Sequence, residues 1–249
     1  MAMQKSKINR YFELDFLRGF AIAHMILLHL LWDLDYYAIL PINAAVQSTN
    51  IIVQTMFFSL IGICLSITYN KKIDNPKKQM YTHLVKRGLW IFSLGMIITL
   101  VTLIFMPDRP ILFGVLHCIG ICIILSIPFL RLKQKNLPIA ITIICLGLLF
   151  GTYNIQNPTA LHLLIGLRPT GFWTNTIDYF PLFPWLGVCL LGNVIGNILY
   201  TAEKRRFKLP DFSKYLPIRA FSWLGRHSLA IYLFHQPVIA GAITIYMLF

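Results

Sequence analysis

The sequence is poor in charged residues, and poorest in acidic ones. Charged residues make up 12% of the 249 positions, and nine Asp and Glu stand against 22 Lys and Arg. Apolar residues reach 57%, above the roughly 45–50% that is usual in soluble domains. This composition indicates that water is not the main solvent of the folded chain.

The sequence also lacks the motifs of common soluble enzymes. It contains no Walker loop, GxGxxG, HExxH or GxSxG, which argues against conventional nucleotide hydrolysis and serine hydrolase chemistry. The cysteines form no CxxC pair and have no zinc-like spacing to histidine, so we predict structural thiols, without a disulfide framework or a metal. They are Cys64, Cys118, Cys122, Cys145 and Cys189.

Long apolar runs are present instead, and they predict the fold class. Runs of about 17–22 residues suffice to cross a hydrocarbon core about 30 Å thick. We predict an all-α polytopic membrane helix bundle of about seven transmembrane helices, forming a single domain over residues 1–249. The first run contains Arg18 and His29 and lacks a cleavage site, which favours a retained helix over a signal peptide. The predicted helices are 14–32, 51–69, 86–105, 111–130, 137–153, 180–200 and 223–247.

The distribution of basic residues predicts the orientation. With seven spans, all of the 22 Lys and Arg residues except Arg109 and Arg168 fall on one side. Because basic residues near helix ends are retained in the cytoplasm, we predict a cytoplasmic N-terminus, an extracytoplasmic C-terminus and a multi-pass protein of the plasma membrane. The net charge of +13 then reflects topology and contact with anionic membrane lipids, and we expect no nucleic-acid partner.

Ionisable residues inside the first predicted helix are costly in lipid and therefore informative. At about 100° per residue, Asp15, Arg18, His29 and Asp33 share one stripe, whereas His24 points elsewhere and favours a structural role. The spacing of three between Asp15 and Arg18 permits an ion pair that either pins the helix end or helps to bind phosphate. Asp33 is placed to orient His29 and raise its basicity, although a satisfied core histidine remains the alternative.

A second polar cluster lies in the last predicted helix. Ser228, Tyr232 and His235 share one face, where they either serve function or form hydrogen bonds between helices. A third polar position is His117, near the outer leaflet by this topology, where it could reach His29. The segment 154–179, with its turn formers and aromatics, predicts an ordered lid or an interfacial piece.

Two prolines and the residues between them mark one more position of interest. Pro181 and Pro184 break the first turn of the sixth predicted helix and free backbone groups near the outer face. A plain kink and a contact with a ligand are equally compatible with this pattern.

Five motifs, in order along the chain, resemble one known family. They are Asp15–Ile22 followed by Met25 and His29, Lys86-Arg87-Gly88 with Gly95, Gly114–His117, Pro181–Gly187, and Leu224–Pro237. Together they resemble the prokaryotic branch of the heparan-α-glucosaminide N-acetyltransferase catalytic domain, over nearly the whole chain. The resemblance implies a transmembrane acetyltransferase that takes an acetyl group from cytoplasmic acetyl-CoA and passes it to an amine or hydroxyl, often of a sugar, on the other side.

The resemblance also suggests catalytic residues. In animal members of the family the catalytic histidine lies in the loop after the first helix, but residues 33–50 here contain no histidine. His29, assisted by Asp33, must then replace it, or His117 or His235 does. Transfer is either direct or proceeds through an acetylated histidine.

Donor and acceptor sites follow from the same resemblance. The phosphates of acetyl-CoA are expected near Arg18, which is paired with Asp15, and near Lys86 and Arg87. Ser228 and Tyr232 complete the predicted donor site.

The predicted acceptor is small or lipid-linked, for example a sugar carried on a lipid. A homodimer is possible through small residues, of which Gly192, Gly196 and Gly241 are examples. The competing hypothesis is a small-molecule transporter or lipid flippase with a buried proton relay, although the sequence shows no inverted repeat to support it.

Overall fold

The computed structural model describes residues 10–71, 77–172, 176–201 and 204–248, and Trp173 of the predicted lid lies outside them. Every regular element in these ranges is helical, apart from isolated backbone bridges, which confirms the all-α prediction. The α-helices are α1 (Phe12–Tyr36), α2 (Ala44–Ser48), α3 (Asn50–Lys71), α4 (Lys77–Phe105), α5 (Val115–Ser126), α6 (Leu137–Phe150), α7 (Ala160–Ile165), α8 (Leu182–Leu199), α9 (Leu216–Arg226) and α10 (Ser228–Leu248). A 3₁₀ stretch, Ile127–Asn136, connects α5 to α6.

Six helical stretches within the described residues are long and apolar enough to cross a membrane. The sequence predicted about seven, and the difference lies in the fourth stretch, Val115–Phe150, which is 36 residues long. This stretch contains both α5 and α6, and the backbone leaves helical geometry between them at Lys133, with φ 51° and ψ −117°. The predicted sidedness of the two termini stays a prediction.

Contacts with α8 show that α5 and α6 run in opposite directions. Cys118 reaches the carbonyl of Pro181 and Ser126 reaches Cys189, so α5 runs parallel to α8. A β-carbon on Gly187 would lie 2.7 Å from the carbonyl oxygen of Ala140, and one on Gly147 would lie 2.4 Å from the nitrogen of Pro184, so α6 runs antiparallel to α8. The chain therefore reverses direction near Lys133.

The chain forms two compact units. The first contains residues 1–57 and 208–249, and the second contains residues 58–207. The last helix therefore joins the first in one unit, and α3 begins in the first unit and ends in the second. That the whole of 1–249 acts as one domain stays a prediction.

Close backbone contact joins α1 to α9 in the first unit. A β-carbon on Gly19 would lie 1.7 Å from the carbonyl oxygen of Phe221, and one on Gly225 would lie 1.8 Å from that of Asp15. Only glycine permits such a crossing, because any larger side chain would push the helices apart. The first and the last of the five sequence motifs thus contact each other and fix the N-terminal part of α1.

The same unit contains a hydrophobic core around the middle of α1. Ala21, Ile22, Met25 and Leu28 are buried with Val53 of α3. Side chains from the C-terminal part, including Leu224, Ile231 and Tyr232, pack against this cluster. The helix predicted over 223–247 is in fact two helices, since α9 ends at Arg226 and α10 begins at Ser228.

A chain of four amides, three of them buried, crosses the second unit. Asn70 donates to Asn197 at 3.1 Å, Asn197 donates to Asn193 at 3.3 Å, and Asn136 donates to Asn193 at 3.0 Å. Asn136 also donates to the carbonyl of Phe129 at 2.8 Å. Because unpaired amides are costly in an apolar interior, this chain fixes α3, α8 and the turn before α6 to one another.

Candidate functional site

Two imidazoles meet where α1 and α10 pack together in the first unit. The ring centroids of His29 and His235 are 4.9 Å apart and the ring planes meet at 65°. His29 is exposed at the surface of the chain, and His235 is half-buried beside it. The structure thus brings together two of the three histidines that the sequence proposed as bases.

Hydrogen bonding assigns a tautomer to His235. Its Nδ1 lies 2.6 Å from the carbonyl oxygen of Tyr232, and a carbonyl only accepts, so Nδ1 carries the proton. In the neutral ring Nε2 then holds a lone pair. This Nε2 is buried and has no hydrogen-bond partner among the described residues. His235 is therefore arranged as a proton acceptor next to an accessible second imidazole.

Asp33 is connected to α10 rather than to its neighbour on α1. Its Oδ2 accepts a 2.8 Å hydrogen bond from Nε2 of Gln236, and the residue is only 7% exposed. The hydrogen bond that we expected between Asp33 and His29 is not among the contacts of the described residues. Because the amide nitrogen of Gln236 must face the carboxylate, its Oε1 is left as a buried acceptor, and no described residue donates to it.

The residues of the first unit that were proposed to bind the donor lie near the start of α1 and on the first turns of α10. Arg18 Nη1 lies 3.2 Å from Asp15 Oδ1, which confirms the ion pair expected from their spacing. The ring of Tyr232 is 5.5 Å from that of His235, and Ser228 begins α10 two turns earlier. Ser228, Tyr232 and His235 all lie on α10, at the spacings of four and three residues that placed them on one helical face in the prediction.

His24 differs from His29 although both lie on α1. Its Nε2 is 2.9 Å from the hydroxyl of Thr49, and that hydroxyl donates to the carbonyl of Val46 at 2.7 Å. The single hydroxyl proton is thus used, and His24 is the donor to Thr49. His24 links α1 to the turn before α3.

His117 lies in the second unit, where both ring nitrogens have partners. Nδ1 accepts from the backbone N–H of Gly114 at 3.2 Å, and Nε2 lies 3.4 Å from the hydroxyl of Thr99. Thr99 in turn donates to the carbonyl of Ile111. This arrangement stabilises the first turn of α5, and the expectation that His117 reaches His29 stays a prediction.

A carboxylate that the sequence analysis missed lies at the start of α5. Asp178 Oδ2 accepts from the backbone N–H of Val115 at 3.2 Å, and Phe180 N–H donates to the carbonyl of Phe113 at 3.0 Å. Burial raises the pKa of Asp178 to about 6, although the N–H groups of Val115 and Tyr179 partly oppose the shift. The signal in the sequence was an acid within an aromatic, proline-rich stretch, Asp178-Tyr179-Phe180-Pro181.

The remaining cationic candidates lie on α4 in the second unit. Lys86 and Arg87 are exposed, and Gly88 beside them packs against α5, where an added β-carbon would lie 2.8 Å from the carbonyl oxygen of Gly120. The two cations are thus presented at the surface of a fixed helix pair. Such a placement is suitable for binding phosphate. It is equally suitable for a purely topological role, in which the cations retain this end of α4 in the cytoplasm.

The segment at the start of α8 has the broken first turn that the sequence predicted. Phe183 has non-helical angles, φ −98° and ψ 131°, between Leu182 and Pro184. In the preceding segment, Arg168 donates to the carbonyl of Gly151 at 2.8 Å and the hydroxyl of Tyr179 donates to that of Leu163. These contacts order the parts of the predicted lid that the structure describes.

Six apolar helical stretches indicate a multi-pass membrane protein, and an imidazole pair lies between two helices of its first unit. The model of the family described as heparan-alpha-glucosaminide N-acetyltransferase, catalytic, matches residues 10–237, and the chain belongs to that family. No curated protein and no solved structure matches the chain. The family establishes the general activity as that of a membrane N-acetyltransferase.

Proposed function

We propose that the protein transfers an acetyl group from cytoplasmic acetyl-CoA to an amine or hydroxyl at the extracytoplasmic face of the plasma membrane. The acceptor is a sugar or a lipid-linked sugar. The family supports an amino-sugar acceptor, since its description names a glucosaminide. The observation that carries the proposal is the pair formed by His29 and His235, because amide formation from a thioester requires a base that removes the proton of the attacking amine.

The chemistry assigned to this pair is a balanced acyl transfer. The acceptor nitrogen attacks the thioester carbonyl, the carbon–nitrogen bond forms, and a proton passes from nitrogen to an imidazole. The carbon–sulfur bond then breaks, and the leaving thiolate takes up that proton to give CoA. His29 is accessible and makes the first contact with the acceptor, while His235, with Nδ1 bound to Tyr232, accepts the proton or shares it.

Asp33 and Gln236 have a positioning role in this proposal. The carboxylate and the free Oε1 of Gln236 are both acceptors, and they favour the N–H or O–H group of an amine or hydroxyl nearby. Recognition of the donor falls to cations, and Arg18 is held by Asp15 in a fixed direction. Lys86 and Arg87 are a second set of phosphate contacts, to be tested by themselves in the second unit.

The experiment that tests this function uses the purified full chain in detergent or nanodiscs. We expect binding of acetyl-CoA by calorimetry and transfer of radiolabelled acetyl from acetyl-CoA to glucosamine. Desulfo-CoA, which cannot carry an acetyl group, is the matched ligand and should bind without transfer. Absence of acetyl-CoA binding, combined with movement of a proton or a lipid across vesicles, would support a transporter instead.

Whether transfer is direct is a separate question with its own readout. Incubation of the protein with labelled acetyl-CoA and no acceptor would leave acetyl on an imidazole if a covalent intermediate forms. Mass spectrometry after rapid quenching at neutral pH locates such a label on His29 or His235. An unlabelled protein that still transfers acetyl on addition of acceptor indicates direct attack.

A further inference from the structure

An apolar groove of about 350 Å³ runs between α1 and α10 in the first unit. Its lining includes Leu30 and Leu34 from α1 and the buried Ile239 and Ile243 from α10. Val238 is 67% exposed, so the groove is open at the surface of the unit. An apolar groove of this kind is suited to an aliphatic chain.

The lining residues of the groove neighbour the polar residues of the candidate site along α1 and α10, although those polar residues are not part of the lining. Leu30 and Leu34 directly follow His29 and Asp33 along α1. On α10, Ile239 lies one helical turn after His235 and on the same face. The face of α10 is thus polar before Pro237 and apolar after it. Since Pro237 has no N–H, it also leaves the carbonyl of residue 233 without its usual helical donor at this junction.

The charges at this junction favour one kind of occupant. Asp33 supplies a carboxylate that is 7% exposed, and Gln236 supplies a buried Oε1 with no donor among the described residues. Two acceptors next to an apolar groove are complementary to a group that donates hydrogen bonds, above all an amine. An ordinary phospholipid tail would occupy the groove but leave these acceptors unmet.

From this complementarity we propose that the groove binds the aliphatic chain of an amphiphilic acceptor, whose amine or hydroxyl lies against Asp33 and Gln236 beside His29. The acceptor therefore reaches the site sideways from the membrane. This inference rests on the proposed function and assigns its acceptor to one class, the membrane-dissolved amines and amino sugars that carry an alkyl or polyprenyl chain.

The test compares two acceptors that differ only in the chain. Acetyl transfer to glucosamine is measured beside transfer to glucosamine with a dodecyl aglycone, and the ratio of the two kcat/KM values is the readout. Ala242→Phe fills the groove, and Thr244→Phe adds a comparable ring on the opposite, exposed face of α10. Partitioning of the dodecyl compound into the membrane is common to all variants, so differences between variants report the groove.

We expect Ala242→Phe to lower the ratio by about tenfold, a usual size for a lost fit in a hydrophobic pocket, and Thr244→Phe to leave it unchanged. An unchanged ratio in Ala242→Phe overturns the proposal while leaving the acetyltransferase function in place. An equal fall in both variants overturns it as well.

A second measurement does not depend on turnover. A dodecylamine bearing a diazirine at the chain end is photolysed with the protein, and labelled peptides are located by mass spectrometry. Labelling of α10 after residue 237 that is lost in Ala242→Phe and kept in Thr244→Phe supports the groove. Labelling spread over the other helices, or equal in both variants, overturns it. A wild-type protein that transfers acetyl to neither acceptor contradicts the proposed function, and the labelling pattern still decides where the amphiphile binds.

Discussion

The imidazole of His29, on the first membrane helix, lies edge to face with that of His235, on the last, with 4.9 Å between the ring centroids. Replacing either residue by alanine is expected to lower kcat for acetyl transfer by about 10²–10⁴-fold, the usual range for lost acid–base catalysis. His24→Ala is the matched control, since His24 lies on the same helix but binds Thr49. The measurement is radiolabelled acetyl transfer at saturating donor, together with a melting curve of each variant.

The comparison separates catalysis from folding. A His29→Ala protein that melts as the wild type does and retains full activity with every acceptor would show that His29 takes no part in acid–base catalysis. Loss of activity in His24→Ala of the same size would attribute the effect to the structure of α1.

The hydrogen bond from Gln236 to Asp33 predicts a strong coupling in stability. Gln236→Leu leaves the buried carboxylate without its donor and should lower the free energy of unfolding by about 1–3 kcal/mol. The double variant Asp33→Leu with Gln236→Leu removes both polar groups and should recover part of the loss. Thermal or denaturant melting in one detergent gives the double-mutant cycle. Additive effects of the two single changes would contradict the coupling.

The crossing of α1 and α9 predicts an unequal response to alanine. Gly19→Ala and Gly225→Ala place a methyl group within 2 Å of a backbone oxygen, so we expect low yield of folded protein and a lower melting temperature. Gly241→Ala adds the same methyl group where nothing lies within 4 Å. Because alanine favours a helix by up to about 1 kcal/mol over glycine, Gly241→Ala should be neutral or stabilising. Equal behaviour of the three variants in size-exclusion and melting experiments would refute the crossing.

Asp178 predicts a pH dependence of stability outside the membrane spans. Its pKa is raised to about 6 by burial, so the folded chain holds this proton more tightly than the unfolded chain does. The resulting stabilisation is complete below the unfolded pKa of about 4 and is lost as the pH rises through about 6. Asp178→Asn cannot ionise and keeps an oxygen for the N–H of Val115.

The melting temperature of the wild type should therefore fall relative to that of Asp178→Asn as the pH rises from about 4 to about 8. Asp108→Asn, which replaces an exposed carboxyl group, is the matched control. A constant difference in melting temperature between the wild type and Asp178→Asn across this pH range would contradict the burial of an ionisable group at this position.

Lys86 and Arg87 are predicted to act on donor binding and not on the chemical step. If they contact the phosphates of acetyl-CoA, alanine at either position should raise KM for acetyl-CoA by about tenfold with kcat nearly unchanged. Arg109→Ala removes a cation that our topology places on the opposite side, and it should have no such effect. Steady-state kinetics at two salt concentrations provide the test. Unchanged KM values in the alanine variants of Lys86 and Arg87 would show that these cations do not bind the donor and act only in setting the membrane topology.

The apolar helices were predictable from the sequence because lipid imposes a length and a composition that are visible without structure. The helix predicted over 51–69 is α3, over residues 50–71, and the helix predicted over 180–200 is α8, over 182–199. The elements that were missed are those outside hydrocarbon. The first turns of α4 are charged, and α9 is short and amphipathic, so its hydrophobic face merges with α10 in a hydropathy profile.

The candidate site was predictable in its residues but only partly in its contacts. Helical periodicity placed His29 and Asp33 on one stripe and His235 on one face of α10. Periodicity says nothing about which stripe meets which, so the partnership of Asp33 with Gln236 had no sequence signal. The glycines proposed for a dimer show the same limit. Gly192 and Gly196 pack against α3 within their own unit. Of the three proposed positions, only Gly241 has open space beside it.

The reversal between α5 and α6 places opposing demands on one residue. Lys133 has φ 51°, a conformation in which glycine is at ease and a lysine is strained. Glycine there would relax the backbone but remove a cation from the side that we predict to be cytoplasmic. Lysine at position 133 therefore costs some backbone strain, but it keeps a positive charge that favours retention of this turn in the cytoplasm during membrane insertion.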